Sequence, residues 1–182
     1  MPALNDRAAG DAFFRSTFEN QASYVWASLA RLGVRERDRE DLVSEVFVRV
    51  HRESAAYDHA RPIRPWLFAF AVRVASEYRK SARFRREVLA GTDDEHEHTD
   101  PAETADLKIE RTEGRALVQA ALEELDFDKR VVFVMHELDD TKVPEIAQTL
   151  GLAEGTAYSR LRAARTEFAS AVRRLQLGGR RV

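Results

Sequence analysis

The sequence predicts an all-α chain: two small helical domains joined by a flexible acidic linker. Three observations carry this. Apolar residues recur at a helical period through most of the 182 residues. No alternation of apolar and polar residues persists long enough to build a sheet. Between the two helical stretches, residues 91–105, GTDDEHEHTDPAETA, hold almost no large apolar side chain and cannot form a core.

In chain order, the first helix is expected over about residues 11–32, with Phe14, Phe18, Val25, Leu29 and Leu32 on one face and Gly33 as its stop. Asp38 is the expected N-cap of the second, with Asp41 in its first turn. That helix should bury Leu42, Val43, Val46, Phe47 and Val50 and show Glu45, Arg49 and Arg52 to solvent. Residues 57–65, with prolines at 62 and 65, read as a stiffened loop. A third helix buries Trp66, Leu67, Phe70, Ala71, Val74 and Tyr78 and ends in Arg79, Lys80, Arg83, Arg85 and Arg86. Cations at a helix C-terminus gain ~0.3–1 kcal/mol each, which accounts for one or two of the five. Aromatic residues upstream of such a run suit stacking on unpaired bases beside phosphate contacts.

Residues 91–110 hold one lysine against eight carboxylates, and the linker is expected over residues 91–109. His96 and His98 within it read as parts of a solvated tether, not metal ligands, and His51, His59 and His136 as ordinary surface or core residues. Beyond it, Ile109, Ala116, Leu117, Ala120, Ala121 and Leu125 form a helix face broken near Asp126. A further helix buries Val131, Val132, Val134 and Met135, and Asp139 and Asp140 turn the chain.

The most informative stretch follows. Val143, Ile146, Ala147 and Leu150 share one face of a short helix, Pro144 suits its first turn, and Gly151 can take the left-handed conformation that ends it. Leu152 plugs the corner, and Glu154 sits at the positive end of the next helix. There Ala157, Leu161, Ala164 and Phe168 face inward; Ser159, Arg162, Ala163 and Thr166 face out, flanked by Arg160 and Arg165. This is the helix-turn-helix pattern, whose second helix can enter a major groove. The plain alternative is a helical hairpin whose arginines form a solvated face.

Composition narrows the classes. No apolar run is long enough to span a membrane, so no membrane insertion is expected. The N-terminus lacks a secretory pattern, and the absence of cysteine fits a reducing cytoplasm. No catalytic, phosphate-binding or metal-binding motif occurs, so neither enzymatic activity nor a cofactor is expected. The net charge of −2 predicts weak DNA affinity for the isolated chain, so a partner is expected to hold it on DNA.

In order, EDLVSEVFVRVHR, RPIRPWLFAFAVRVASEYRK, the acidic linker, ALEELDFDKRVVFVMHEL and PEIAQTLGLAEGTAYSRLRAAR resemble the extracytoplasmic-function (ECF) sigma factors of the sigma-70 family. The resemblance covers nearly the whole chain. It implies a sigma-2 domain over residues 6–90 and a sigma-4 domain over residues 110–176. It implies core RNA polymerase as partner, with Asp41, Leu42, Glu45, Val46 and Arg49 matching the segment that docks on the β′ clamp coiled coil, and the β flap as a second contact. Arg61, Arg64, Trp66, Arg73, Arg79, Lys80 and Arg83 fall where the family opens the −10 element and captures a flipped base. Ser159, Arg160, Arg162 and Arg165 fall where it reads the −35 duplex. An anti-sigma factor is a further implied partner.

The chain departs from the family pattern at Arg73 and Glu77, where asparagine and aspartate are usual, and at Tyr158 and Ala163, where basic residues are common. Lys142 and Ala153 replace residues that often cap the two helices. Two other readings stand beside this one: a stand-alone helix-turn-helix regulator whose N-terminal half dimerises, and an interaction protein that mimics a sigma factor.

Overall fold

The structure, a computed structural model, describes the backbone of residues 3–88 and 105–178 and the side chains of residues 10, 12–82 and 113–178. Among these the chain is helical without strands. The helices are α1 (Ala3–Arg31), α2 (Glu36–Glu53), α3 (Ile63–Val88), α4 (Ala105–Glu123), α5 (Phe127–Phe133), α6 (Val143–Leu150) and α7 (Glu154–Gly178). A 3-10 turn, Ser54–Ala56, follows α2, and α5 runs on as a π-helix, Val134–Leu138. The linker residues 91–104, with His96 and His98, and the side chains of Arg83, Arg85, Arg86 and Ile109 lie outside the described residues.

The helices α1, α2 and α3 pack on one another, and α7 packs on α4, α5 and α6. Several boundaries differ from expectation for local reasons. α1 begins at Ala3, because Ala3, Leu4, Ala8 and Ala9 are good helix formers ahead of the apolar face. Asp38 does not cap α2. The N-cap is Arg35 in extended conformation (φ −64°, ψ 145°), whose side chain makes no capping hydrogen bond, and Asp38 instead accepts from the Tyr78 hydroxyl at 2.5 Å. α3 begins at Ile63, so Pro65 lies in its first turn, where a missing N–H costs nothing. α4 begins at Ala105, inside the stretch expected as linker.

Two glycines do what was expected of them. Gly151 ends α6 at φ 65°, with the N–H groups of Gly151 and Leu152 turned back to the Gln148 and Ala147 carbonyls at 3.3 and 2.8 Å. Gly33 follows α1 at φ 87°, and a second constraint acts there: an added Cβ would sit 2.6 Å from Arg130 Nη1. Arg130 comes from the other helical group, only 2% exposed.

That approach is one of several contacts across a seam between the two groups. Their apolar residues form one continuous core, from Val25 and Leu29 through Leu122 and Val132 to Leu161. Asp139, just after the π-helix, accepts from the Tyr24 hydroxyl at 2.7 Å and from Arg31 Nη1 at 3.1 Å, with its side chain 7% exposed. Gln119 Nε2 donates to the Ala30 carbonyl at 2.9 Å, and the Arg79 guanidinium lies 4.9 Å from the Phe127 ring centroid. Burial raises the Asp139 carboxyl above its ordinary value, although Tyr24, Arg31 and Arg64 all oppose the shift. It raises the Tyr24 hydroxyl as well, assisted by Asp139.

Arg130 donates Nη2 to the Glu123 and Leu125 carbonyls at 2.8 and 3.2 Å, while its buried Nε has no partner. Burial, then the nearby Arg79, lowers its guanidinium to about 10. Residues 130–135 are buried in succession, more than one face of a helix can hide. They are enclosed because both groups cover this segment.

Candidate nucleic-acid interface

The helix-turn-helix is assembled as the sequence reads. Val143, Ile146 and Ala147 of α6 and Ala157, Leu161 and Ala164 of α7 are buried together, which fixes the rotation of α7. Neither helix has a side-chain cap: Lys142 starts α6 without one, and the Ala153 carbonyl accepts the Thr156 and Ala157 N–H groups at 2.9 and 3.1 Å.

The four polar residues assigned to this face do not present themselves alike. Arg162 is exposed and makes no ion pair among the described residues. Arg160 is turned toward the start of α5, where Nη2 meets Asp128 Oδ2 at 2.6 Å. Arg165 is paired with Glu137 of the π-helix at 2.6 Å. Ser159 donates its hydroxyl to the Thr156 carbonyl at 2.9 Å. Exposed ion pairs of this kind contribute about 0–1 kcal/mol, so a phosphate can displace either carboxylate. Tyr158, 55% exposed, lies on the side of α7 that carries Arg162 and Arg165.

A second surface lies at the start of α3. Trp66 is 4.7 Å from Tyr57 and 5.0 Å from Phe70 between ring centroids, and Tyr57 stacks on Phe13 at 5.5 Å. His59 closes the group at 4.8 Å from Phe13 and 5.0 Å from Tyr57. The Tyr57 hydroxyl donates to the Arg61 carbonyl at 2.5 Å, fixing the loop, and the Arg61 side chain reaches Asp58 at 3.3 Å. Arg73 lies over Phe70 at 5.0 Å and near Glu53 at 3.7 Å. The result is a half-buried platform of Phe13, Tyr57 and Trp66, flanked by two arginines and backed by Phe70, which is only 1% exposed. Sequence reading found Trp66 but not Phe13, His59 or the stacking role of Tyr57, because these meet only when α1 packs beside the loop.

The other basic residues assigned to this surface lie elsewhere. Arg64 points back along α1, 5.1 Å from the Tyr24 ring with Nε 3.4 Å from Gln21 Oε1. Arg79 is engaged with Phe127 in the seam. Lys80 is exposed farther along α3.

On α2, Asp41 is exposed and Leu42, Glu45 and Arg49 are half-buried, whereas Val46 is fully buried and offers no surface to a partner. The helical period puts Val46 beside Val43 and Val50. Arg49 bridges α2 and α3, with Nη1 and Nη2 at 2.9 and 2.5 Å from the Glu77 carboxylate and Nη2 at 2.5 Å from Glu45. Hydrogen bonding to Arg49 lowers the Glu77 carboxyl below its ordinary value.

A two-part surface of this kind, a helix-turn-helix and an aromatic platform on separate helical groups, coincides with matches to two family models. Residues 18–85 match Sigma-70 region 2, and residues 115–168 match Sigma-70, region 4. The chain is also 32% identical over 155 residues to the ECF RNA polymerase sigma factor SigL of Mycobacterium tuberculosis, covering 85% of each chain. The chain belongs to the ECF sigma factors of the sigma-70 family. It is accordingly a transcription-initiation factor. Another relative is the RNA polymerase sigma factor NccH of Alcaligenes xylosoxydans xylosoxydans, 24% identical, with 96% of each chain covered. In fold it is similar to the sigma factor RpoE of Bartonella quintana, solved in complex with the anti-sigma factor NepR (TM-score 0.66, 21% identity, 88% of this chain and 96% of that one). It is also similar to CnrH, solved with the cytosolic domain of CnrY (TM-score 0.58, 22% identity, 86% and 85% covered).

No described helix is long and apolar enough to cross a membrane. No group of His, Asp and Glu among the described residues could hold a metal ion.

Proposed function

We propose that this sigma factor reads the −35 element as duplex with α7 and captures unpaired −10 bases on the platform of Phe13, Tyr57 and Trp66, with the buried Phe70 behind it. Arg61 and Arg73 hold the adjoining phosphates. It docks on the β′ clamp coiled coil through Asp41, Leu42, Glu45 and Arg49 of α2, with the sigma-4 domain at the β flap, and performs no chemistry of its own. Residues 6–90 act as the sigma-2 domain, 91–109 as linker and 110–176 as the sigma-4 domain. The factor works in the cytoplasm, held in check by an anti-sigma protein. The similar chains solved with NepR and with CnrY support that last point.

The observation that carries the reading is the platform. Three aromatic rings, Phe13, Tyr57 and Trp66, each within 5.5 Å of the next and left half-buried beside arginines, are poor use of a core and a good surface for stacking, and the buried Phe70 lies 5.0 Å from Trp66 on the core side. Base–aromatic stacking is worth ~1–3 kcal/mol per base, enough to offset the few kcal/mol of extruding one. The test is transcription in vitro from a promoter library with bacterial core enzyme, sequencing the 5′ ends. The reading requires starts that depend on the added chain and share elements near −35 and −10. Core enzyme that ignores the chain would refute it, and duplex binding by the chain alone would favour the stand-alone regulator.

A further inference from the structure

The first three turns of α7 present few large side chains outward, and most are committed. Arg160 is paired with Asp128, and Ser159 bonds its own helix. One turn further on, Arg165 is paired with Glu137. Two large side chains keep free functional surfaces: the Arg162 guanidinium and the Tyr158 ring.

The ring has chemistry that basic side chains lack. Tyr158, Val143 and Leu161 form the apolar wall of a surface depression whose rim carries Arg162 and Arg165. A neutral phenol offers phosphate one hydroxyl and no charge, whereas its face is a broad apolar surface. The major-groove edges of the four bases carry a single apolar group, the C5-methyl of thymine. Tyr158 and Arg162 are four residues apart, about 6 Å along the helix axis, the span of one or two base-pair steps.

Resting on the −35 reading given above, we infer that Tyr158 is a specificity-determining residue whose ring contacts a thymine methyl, one or two base pairs from a guanine bonded by Arg162. Tyrosine where relatives commonly carry a base thus changes what is read, from phosphate charge to one particular methyl.

Deoxyuridine tests this directly, because it removes the methyl and leaves every hydrogen-bonding group of the base in place. On a promoter selected with the reconstituted holoenzyme, each −35 thymidine is replaced singly by deoxyuridine, and complex formation is measured. Burial of one methyl-sized group predicts about a fourfold loss at one position. Tyr158→Phe keeps that loss, since the ring and not the hydroxyl is responsible. Tyr158→Ala abolishes it, binding thymine and uracil promoters equally. Because Tyr158 is exposed, neither variant disturbs the core. Insensitivity of the wild type to deoxyuridine at every position overturns the inference. So does a loss that persists in Tyr158→Ala, or one in which that variant weakens both promoters by the same factor with no methyl dependence in the wild type. Indifference of the holoenzyme to the whole −35 sequence would instead overturn the functional reading beneath it.

Discussion

Replacing Asp139 by alanine should loosen the seam between the two helical groups. The carboxylate is 7% exposed and accepts from the Tyr24 hydroxyl at 2.7 Å and from Arg31 at 3.1 Å. Losing it leaves the half-buried hydroxyl only the Arg64 carbonyl, at a long 3.5 Å, as acceptor, a cost of ~1–3 kcal/mol. The Arg31 guanidinium is about a third exposed and turns partly to water, so the charged bond contributes less than its usual ~1.5–3 kcal/mol. Against this, alanine escapes the desolvation that raises the Asp139 carboxyl. The balance is ~2–4 kcal/mol, a shift of ~30- to 700-fold toward separated halves.

Asp139→Asn should cost much less, ~0–1.5 kcal/mol, because a raised carboxyl pKa means the site already disfavours the charge. The chain has no cysteine, so Glu19→Cys on α1 and Ser170→Cys on α7 provide a dye pair for energy transfer. Transfer should fall in the alanine variant and stay near wild type in the asparagine variant. Equal transfer in all three, or a larger loss with asparagine, would refute the reasoning.

Other outcomes follow from the same geometry. Gly33→Ala meets both the positive φ and the Arg130 side chain and should cost at least ~1–3 kcal/mol, read as a lower urea midpoint. Arg162→Ala should weaken holoenzyme binding to a promoter by ~1–3 kcal/mol and relax one −35 position, whereas Arg160→Ala, whose partner is Asp128, should change it by under ~1 kcal/mol in competition binding. Trp66→Ala should leave duplex −35 binding intact and slow opening by ~1–3 kcal/mol, measured by permanganate reactivity at −10 thymines. The raised Asp139 carboxyl makes closing take up a proton. The seam should therefore weaken as pH climbs from the ordinary carboxyl value of 3.8 through the raised one and hold constant above it. Tyr24, Arg31 and Arg64 face the group, and Asp139→Asn should lack this component of the energy-transfer profile.

What the sequence made legible was local. Gly151, Pro144 and the apolar period of α6 and α7 are decided within a few residues, and the helix-turn-helix came out as read. The same rule placed Val46 inside beside Val43 and Val50, where it lies, and the polymerase contact assigned to it came from the resemblance alone. Asp38 has the chemistry of a cap, but Tyr78, forty residues on, holds its carboxylate instead. Arg160 reads as flanking the outward face that Arg162 occupies, but its pairing with Asp128, 32 residues back in the chain, was not legible. The bonds from Tyr24 and Arg31 to Asp139 span 115 and 108 residues, and no periodicity reports on contacts at that range.

The seam also bears on how promoter geometry is measured. Elements named for positions −35 and −10 lie about 25 base pairs apart, or ~85 Å along the duplex. The helices that carry the two surfaces, α3 with 26 residues and α7 with 25, extend only ~40 Å each, and they belong to halves pressed together. Arg79, one of the residues assigned to melted DNA, is meanwhile occupied by Phe127. In this shape the molecule is a folded ruler. Its graduations are legible one at a time, and on the function proposed above the tolerance for longer or shorter spacers belongs to the polymerase.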